Sequence, residues 1–240
     1  MANKKIYLSP SNQPANSYVV GNTNEKVQME DVAKRIKVML DAEYDCETVM
    51  ATISLGIGSD GRPKEAKDKG CSIYLAIHSN AGGGGKASGA VAFYHPSSAE
   101  SKNLASNIVK ELNAICPIRS NRSTPVANGM LPFNGQGYGE IRTPNQYGLI
   151  TVLAETDFHD NAQVAQWIIN SKDSIARAYV NALTKTFGIS KKKIPEVTPT
   201  PVTSPRYYRV QVGAYSQKAN AEAMLKKVKA AGFDAFIKYD

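Results

Sequence analysis

Cysteine is scarce in this sequence, and no long apolar run interrupts it. The 240 residues include three cysteines, Cys46, Cys71 and Cys116, and no CxxC pair. This spacing excludes a disulfide framework and a thiolate metal site, and it predicts that the cysteines are buried as small apolar side chains. No segment reaches the roughly 20 apolar residues that a membrane-spanning helix needs. The opening residues, MANKKIYLSP, lack the apolar core of a secretory signal, so we expect synthesis in the cytoplasm without a signal peptide.

Positive charge is concentrated towards the C-terminal end of the chain. The formal net charge is +8, and residues 190–240 alone contain ten Lys and Arg against four Asp and Glu. A basic segment of this kind indicates an anionic polymer as its partner, such as nucleic acid, a membrane surface or a cell-wall polyanion.

A change of composition divides the chain. Residues 190–205 contain four prolines interleaved with Thr and Ser and show no apolar periodicity, which is typical of an extended, semi-rigid linker. We therefore expect a first domain at residues 1–189, this linker, and a separate end piece at residues 206–240.

The first domain alternates between strand-like and helix-like apolar periodicity. This order predicts an α/β fold with a mostly parallel sheet flanked by helices. The carboxyl ends of its strands then share one edge, where ligands bind in such sheets. The predicted strands cover residues 5–8, 47–54, 72–78, 90–94 and 149–155. The predicted helices cover residues 27–44, 63–70 and 99–114, with two more within residues 161–187.

Ionisable side chains follow the predicted strand ends. His78 ends the apolar run SIYLAIH, and Glu155 ends the run LITVLAE. Glu25 opens the first helix, where a carboxylate either complements the helix N-terminus or faces a site. Each residue alone has an ordinary structural role. One His and two Glu at the same sheet edge nevertheless indicate a zinc site with a general base.

These motifs, in this order, resemble the zinc-dependent N-acetylmuramoyl-L-alanine amidases of the type-3 amidase family. The resemblance covers residues 4–187 and depends most on the motifs AIHSNA and VLAETDFHDN. It implies the amidase fold and a peptidoglycan hydrolase that cleaves the bond between N-acetylmuramic acid and L-alanine with zinc-activated water.

The resemblance also implies roles for individual residues. His78 and Glu25 match two of the three protein ligands of Zn²⁺ in the family, and Glu155 matches its general base. Asn80 and Arg142 match positions that contact substrate. Arg142 has a second interpretation, a surface salt bridge, which stays open at this point.

The first strand departs from the family pattern. Relatives carry a turn similar to DPGHGG, whose His is the first zinc ligand, whereas SPSNQ places Asn12 at that position with Gln13 beside it. Amide oxygens are weaker zinc ligands than imidazole. Three alternatives stay open: Asn12 or Gln13 binds the ion, water fills the position, or His159 with Asp157 reaches it. The alternative function is a catalytically inactive peptidoglycan-binding protein on the same fold.

The end piece is similar to one repeat of the SPOR domain, which binds peptidoglycan. We expect a small α+β (βαβ) C-terminal repeat with strands at residues 208–215 and 235–239. A whole SPOR domain has two such repeats, and half a domain buries too little apolar surface to be stable alone. We therefore expect a homodimer through residues 206–240; the alternative is a truncated, disordered tail. The inward helix face is predicted to contain Ala221, Met224, Leu225 and Val228.

The resemblances decide between the possible partners. Most of the net positive charge, +6 of +8, lies in the linker and the SPOR-like repeat, so we expect peptidoglycan and not nucleic acid as the partner. Without a signal peptide, the protein is expected to act at the bacterial cell wall after holin release or cell lysis. It is thus expected to be a phage endolysin or a mother-cell lysin.

Overall fold

The computed structural model describes residues 4–192 and 210–238. The chain divides into two compact units, Met1–Ile194 and Pro195–Asp240. Most of the predicted linker, residues 190–205, lies outside the described residues, so its boundaries stay a prediction.

A six-stranded sheet forms the centre of the first unit. Its strands are β1 (Lys4–Pro10), β2 (Cys46–Met50), β3 (Ile73–Asn80), β4 (Val91–Tyr94), β5 (Val126–Asn128) and β6 (Ile150–Phe158). Their order across the sheet is β2-β1-β3-β6-β4-β5. The neighbouring strands β2, β1, β3 and β6 run parallel to one another, and the β4–β6 pair is antiparallel. The prediction of a mostly parallel sheet is confirmed.

Helices cover both faces of this sheet. They are α1 (Glu25–Glu43), α2 (Arg62–Asp68), α3 (Ala99–Ile115), α4 (Gly139–Gln146), α5 (Ala162–Asn170) and α6 (Lys172–Phe187). Successive strand residues point to opposite faces. Ile6 and Leu8 therefore enter the larger core under α1, α3, α5 and α6, and Tyr7 enters the smaller core beside α2 and α4.

Helix α1 begins two residues earlier than the periodicity predicted. The Asn24 side chain accepts a hydrogen bond from the Val27 N–H and caps the helix. Such a cap satisfies one of the free N–H groups at a helix N-terminus. Glu25 consequently becomes the first helical residue and is only 1% exposed.

Strand β5 and helix α4 were not predicted. Strand β5 has three residues, and α4 has eight, including Pro144 in its interior. Neither is long enough to show a period, and proline opposes helix formation. Tertiary packing holds α4 in place, since Ile141 is completely buried in the smaller core.

The three cysteines are free thiols. Cys46 and Cys71 are buried as expected, whereas Cys116 is partly exposed. The Cys116 thiol follows α3 and donates to Asp157 Oδ2 at 3.6 Å. Burial raises the pKa of Cys116 to about 12, so this thiol stays protonated near neutral pH.

The second unit contains helix α7 (Lys218–Ala230) in its described residues. The four side chains predicted to face inward on this helix are partly buried. The described parts of the two predicted strands, 210–215 and 235–238, are not strands. The backbone N–H and C=O groups of a strand need a neighbouring strand as hydrogen-bonding partner, and a single repeat provides few such partners. Separately, no helix in the described residues is long and apolar enough to cross a membrane.

Candidate active site

The candidate site lies at the carboxyl ends of β1, β3 and β6. His78 and Glu155 are direct register partners on β3 and β6. Glu25 reaches them from the first turn of α1. The structure thus brings together His78, Glu155 and Glu25, the three residues predicted from the strand ends and the helix start.

His78 lies between two carboxylates. Its Nδ1 is 2.8 Å from Glu25 Oε1, and its Nε2 is 2.8 Å from Glu140 Oε2. Burial of the ring opposes a positive charge, but the carboxylates outweigh it and raise the pKa of His78 well above its ordinary value. Burial also raises the pKa of each carboxyl, yet the bond and charge of His78 leave the pKa values of Glu25 and Glu140 lowered.

Glu140 was not predicted as a site residue. Its Oε1 accepts from Ser9 Oγ at 2.8 Å and from the Tyr74 hydroxyl at 3.0 Å. The Arg62 guanidinium in turn donates to Ser9 Oγ at 3.0 Å and to the Pro10 carbonyl at 2.8 Å. This buried network fixes the carboxylate that faces His78 Nε2. Because α4 gives no periodic signal, the sequence offered no sign of Glu140.

The two amides of the SPSNQ turn separate in the structure. Asn12 is exposed and donates to the Ile53 carbonyl at 3.0 Å. Gln13 Nε2 lies 3.2 Å from His78 Nδ1. The Asn16 amide nitrogen donates to Gln13 Oε1 at 3.0 Å and to Glu25 Oε2 at 2.7 Å. Gln13 is therefore the amide that belongs to the site.

His159 lies outside the group of side chains that contact His78. Its ring stacks on Tyr18 at 4.8 Å between ring centres, and its Nδ1 is 3.0 Å from Ser79 Oγ. The Tyr18 hydroxyl donates to the same Oγ at 2.8 Å. Burial lowers the pKa of His159, which favours the neutral ring. In residues 4–192, His159 bonds neither His78 nor Glu25.

Glu155 has the environment of a general acid and base. Burial raises its pKa to about 7, and the negative charges of Glu25 and Glu140 add to this effect while His78 opposes it. Its Oε2 is enclosed and finds no hydrogen-bond partner among the described residues. A carboxyl that titrates near neutral pH is suited to both accepting and returning a proton.

The two predicted substrate contacts lie apart. Arg142 Nη1 donates to the Gln136 carbonyl at 2.6 Å, which directs its guanidinium to the loop before α4. Asn80 ends β3 and lines a cavity of about 280 Å³ at the carboxyl edge of the sheet. The salt bridge considered for Arg142 is not formed with any described carboxylate.

A metal ion next to His78 would need an amide oxygen among its ligands, because too few His, Cys, Asp and Glu side chains of the described residues surround this position. Within the described residues, no group of three or more His, Cys, Asp and Glu side chains is arranged to bind one. The raised pKa of His78 places a proton between Nδ1 and Glu25 Oε1, which lie 2.8 Å apart. Two such electron-rich atoms need a proton or a cation between them. The Gln13 amide borders the same position through its nitrogen, so one imidazole, one carboxylate and an amide whose oxygen points away from His78 surround this position.

Two known families match this sequence. The N-acetylmuramoyl-L-alanine amidase family matches residues 11–185, and the SPOR domain family matches residues 175–240. The N-acetylmuramoyl-L-alanine amidase CwlM of Bacillus licheniformis is 25% identical over 98% of this chain and 85% of its own length. The sporulation-specific N-acetylmuramoyl-L-alanine amidase of Bacillus subtilis strain 168 is 24% identical over 97% of this chain and 84% of its own length.

Solved structures agree with this fold. An N-acetylmuramoyl-L-alanine amidase from Clostridium difficile 630 superposes with a TM-score of 0.63, covering 78% of this chain and 98% of its own at 19% identity. The catalytic domain of CwlV from Bacillus (Paenibacillus) polymyxa gives a TM-score of 0.63, covering 77% and 98% at 16% identity. At this identity, the superpositions show the shared fold.

Proposed function

Because the chain belongs to the N-acetylmuramoyl-L-alanine amidase family, we propose that it hydrolyses the amide bond between N-acetylmuramic acid and L-alanine in peptidoglycan. The observation that carries this proposal is the pairing of Glu155, with a pKa of about 7, and His78 across neighbouring strands. This pairing supports a role for Glu155 in proton transfer beside the proposed metal donors.

The residues divide the work of the reaction. Glu155 takes a proton from the attacking water and returns it to the leaving amine of L-alanine. Glu140 fixes the orientation of His78 through Nε2, which directs Nδ1 towards Glu25 and Gln13. The chemistry that zinc supplies when bound is Lewis acidity towards the amide carbonyl and towards water.

We propose His78, Glu25 and Gln13 as the zinc ligands. Asn12 is turned away to Ile53, and His159 is engaged with Ser79, so neither faces Nδ1. Gln13 presents its oxygen after a half-turn of its terminal amide. That rotation gives up the bond from Asn16 and turns the Gln13 nitrogen towards the Asn16 nitrogen, which costs at least about 1 kcal/mol.

A lytic assay on purified peptidoglycan tests the amidase proposal. We expect the wild-type chain to release free N-terminal alanine, and a chelator to abolish the release. Glu155→Gln keeps the shape of the side chain and is expected to lower the rate at least about 100-fold. Glu100→Gln, on the exposed start of α3, is the matched control and is expected to keep full activity.

Lysis that survives both the chelator and Glu155→Gln would contradict the mechanism. The replacement of the expected first His by an amide favours one alternative, a peptidoglycan-binding protein without catalysis. Binding to the same peptidoglycan without any release of alanine by the wild-type chain is the result that supports this alternative.

We propose that the second unit binds peptidoglycan as a paired SPOR repeat. Its described part leaves large apolar side chains open to solvent, including Val210 at 90% and Phe236 at 80% exposure. A second copy of the same repeat offers a matching surface, which supports a homodimer.

We also propose that the enzyme acts at the bacterial cell wall after release from the cell. The Bacillus subtilis relative is described as sporulation-specific, which favours a mother-cell lysin over a phage endolysin. Production during sporulation, measured with an antibody against the chain, tests this assignment; production only during phage growth would contradict it.

A further inference from the structure

The cavity that contains Asn80 lies directly beside Glu155. Its walls are formed by the ends of β3 and β6, the start of β4 and residues 121–124. Val91 lines it and is the register partner of Glu155 on β4. Asn80 and Phe158, which also line it, are register partners at the ends of β3 and β6. The cavity is therefore the next space along the sheet edge from the proton-transfer group.

One cation without an ion pair among the described residues, Arg122, lines this cavity, and its charge acts on the nearby Asp157 carboxylate. The guanidinium of Arg122 lies 4.8 Å from the centre of the Phe158 ring. Its Nε donates to Asn121 Oδ1 at 3.1 Å, and its Nη2 donates to the same oxygen. No carboxylate in the described part of the chain forms an ion pair with it. The carboxylate of nearby Asp157 accepts instead from the backbone N–H groups of Phe158 and Gly89, at 2.7 and 2.8 Å.

The cavity lies on the β4 side of Glu155, away from β1 and Gln13. In the sheet, β1 flanks β3 on one side, with Gln13 beside it, while β6 and β4 lie on the other. Glu155, on β6, returns its proton to the leaving amine, which is the N-terminus of the peptide. A peptide that extends from Glu155 towards β4 enters the cavity.

We propose that this cavity is the subsite for the peptide of the substrate and that Arg122 binds a carboxylate of that peptide. The inference rests on the proposed amidase function. A guanidinium without an ion pair, half-enclosed and braced on an aromatic ring, is suited to a carboxylate. Asn80, Ser123 and Thr124 supply neutral hydrogen-bonding groups around it. Arg142, the arginine expected for this role, does not line the cavity.

Binding to the full-length Glu155→Gln variant tests the inference without turnover. Two synthetic muramoyl peptides are titrated, identical except that the acidic side chain of the second residue is free in one and amidated in the other. We expect the acidic peptide to bind at least about tenfold more tightly, as one charge-assisted hydrogen bond provides. Adding Arg122→Ala is expected to remove this preference. Adding Arg119→Ala, an exposed arginine in the same segment, is expected to keep it.

Arg122→Gln provides a second variant, since it retains a hydrogen-bonding side chain without the charge. It is expected to lose the same preference, and thermal unfolding shows that both variants are folded. Equal affinity for the two peptides, a preference that survives both substitutions, or binding of neither peptide at millimolar concentration overturns the inference.

The two proposals fail in different ways. If the wild-type chain cleaves neither peptide but the preference depends on Arg122, the reaction is wrong and the subsite stands. If it cleaves both peptides and binds them equally, the reaction stands and the subsite is wrong.

Discussion

At the scale of single residues, His78 organises the site because each of its ring nitrogens faces a different carboxylate. One carboxylate, Glu140, is fixed by a buried network and sets the orientation of the ring. The other, Glu25, shares the space in front of Nδ1 with Gln13. The ring thus separates a supporting side from a reactive side, and Glu155 lies alongside it on the neighbouring strand.

The identity of the third zinc ligand can be tested through metal affinity. Gln13→Ala is expected to weaken zinc binding by about tenfold or more, because it removes the amide next to Nδ1. Gln13→His is expected to strengthen it, since imidazole is the better zinc ligand. Competition with a chromophoric chelator measures both effects without an activity assay.

Asn12→Ala is the matched control for this experiment, because Asn12 is the adjacent amide and faces away from His78. Its zinc affinity should equal that of the wild-type chain. Unchanged affinity in Gln13→Ala, or a loss in Asn12→Ala, would show that the assignment is wrong.

The raised pKa of Glu155 predicts a pH-dependent stability. Its carboxyl ionises near pH 4.5 when unfolded and near pH 7 when folded, so the folded state holds the extra proton between these values. Stability from this group is therefore present below about pH 4.5 and lost as pH rises to 7, by up to about 3 kcal/mol. Glu155→Gln should remove this loss, so its stability relative to the wild type should increase from pH 5 to pH 8.

Urea unfolding of the metal-free protein across this pH range measures the difference. Glu100→Gln should show no such trend, because its side chain is exposed. A constant difference between Glu155→Gln and the wild type would contradict the buried carboxyl.

At the scale of secondary structure, the site depends on an element too short to predict. The sequence was sufficient for β3, β6 and α1, since long apolar runs and a regular period mark them, and these elements bring His78, Glu155 and Glu25 together. It was not sufficient for α4, whose eight residues include a proline. Glu140 was missed with its helix, because the contact that defines it joins residues 62 positions apart.

Removing the Glu140 carboxylate should therefore destabilise the whole first unit. Glu140→Ala leaves His78, Ser9 and Tyr74 without their shared acceptor in a buried setting. A loss of about 3–5 kcal/mol is expected for such a broken buried network, measured as a lower midpoint of urea unfolding. Glu100→Ala should change the stability by no more than about 0.5 kcal/mol. Equal midpoints for the two variants would show that the network contributes little.

At the scale of the whole molecule, the chain combines a well-packed first unit with a second unit whose described residues, 210–238, leave several large apolar side chains exposed. Composition alone indicated this division, because the prolines and lysines near residue 195 interrupt all periodicity. The inward face of α7 was also predictable from its spacing. The described parts of the flanking strands, 210–215 and 235–238, are not strands, because strand pairing depends on a neighbour that one repeat does not contain.

A dimer through the second unit should be visible in solution. Light scattering coupled to size exclusion is expected to give about twice the 25.9 kDa chain mass. Phe236→Asp should shift the mass to that of a monomer, because it places a charge in the apolar contact. Val38→Asp alters another exposed apolar residue, on α1, and should leave the dimer intact. A wild-type monomer with a folded α7 would contradict the pairing.

The residues around His78 come from separate stretches of the chain. Gln13, Asn16 and Glu25 lie within 13 consecutive residues, whereas Glu155 and Arg122 belong to separate, later segments. Two of the three proposed metal donors, Gln13 and Glu25, can therefore be exchanged as one short segment, while His78 and Glu155 stay in place on β3 and β6. An engineer could graft the opening turn of a relative into this chain to alter its metal preference, and natural recombination has the same freedom.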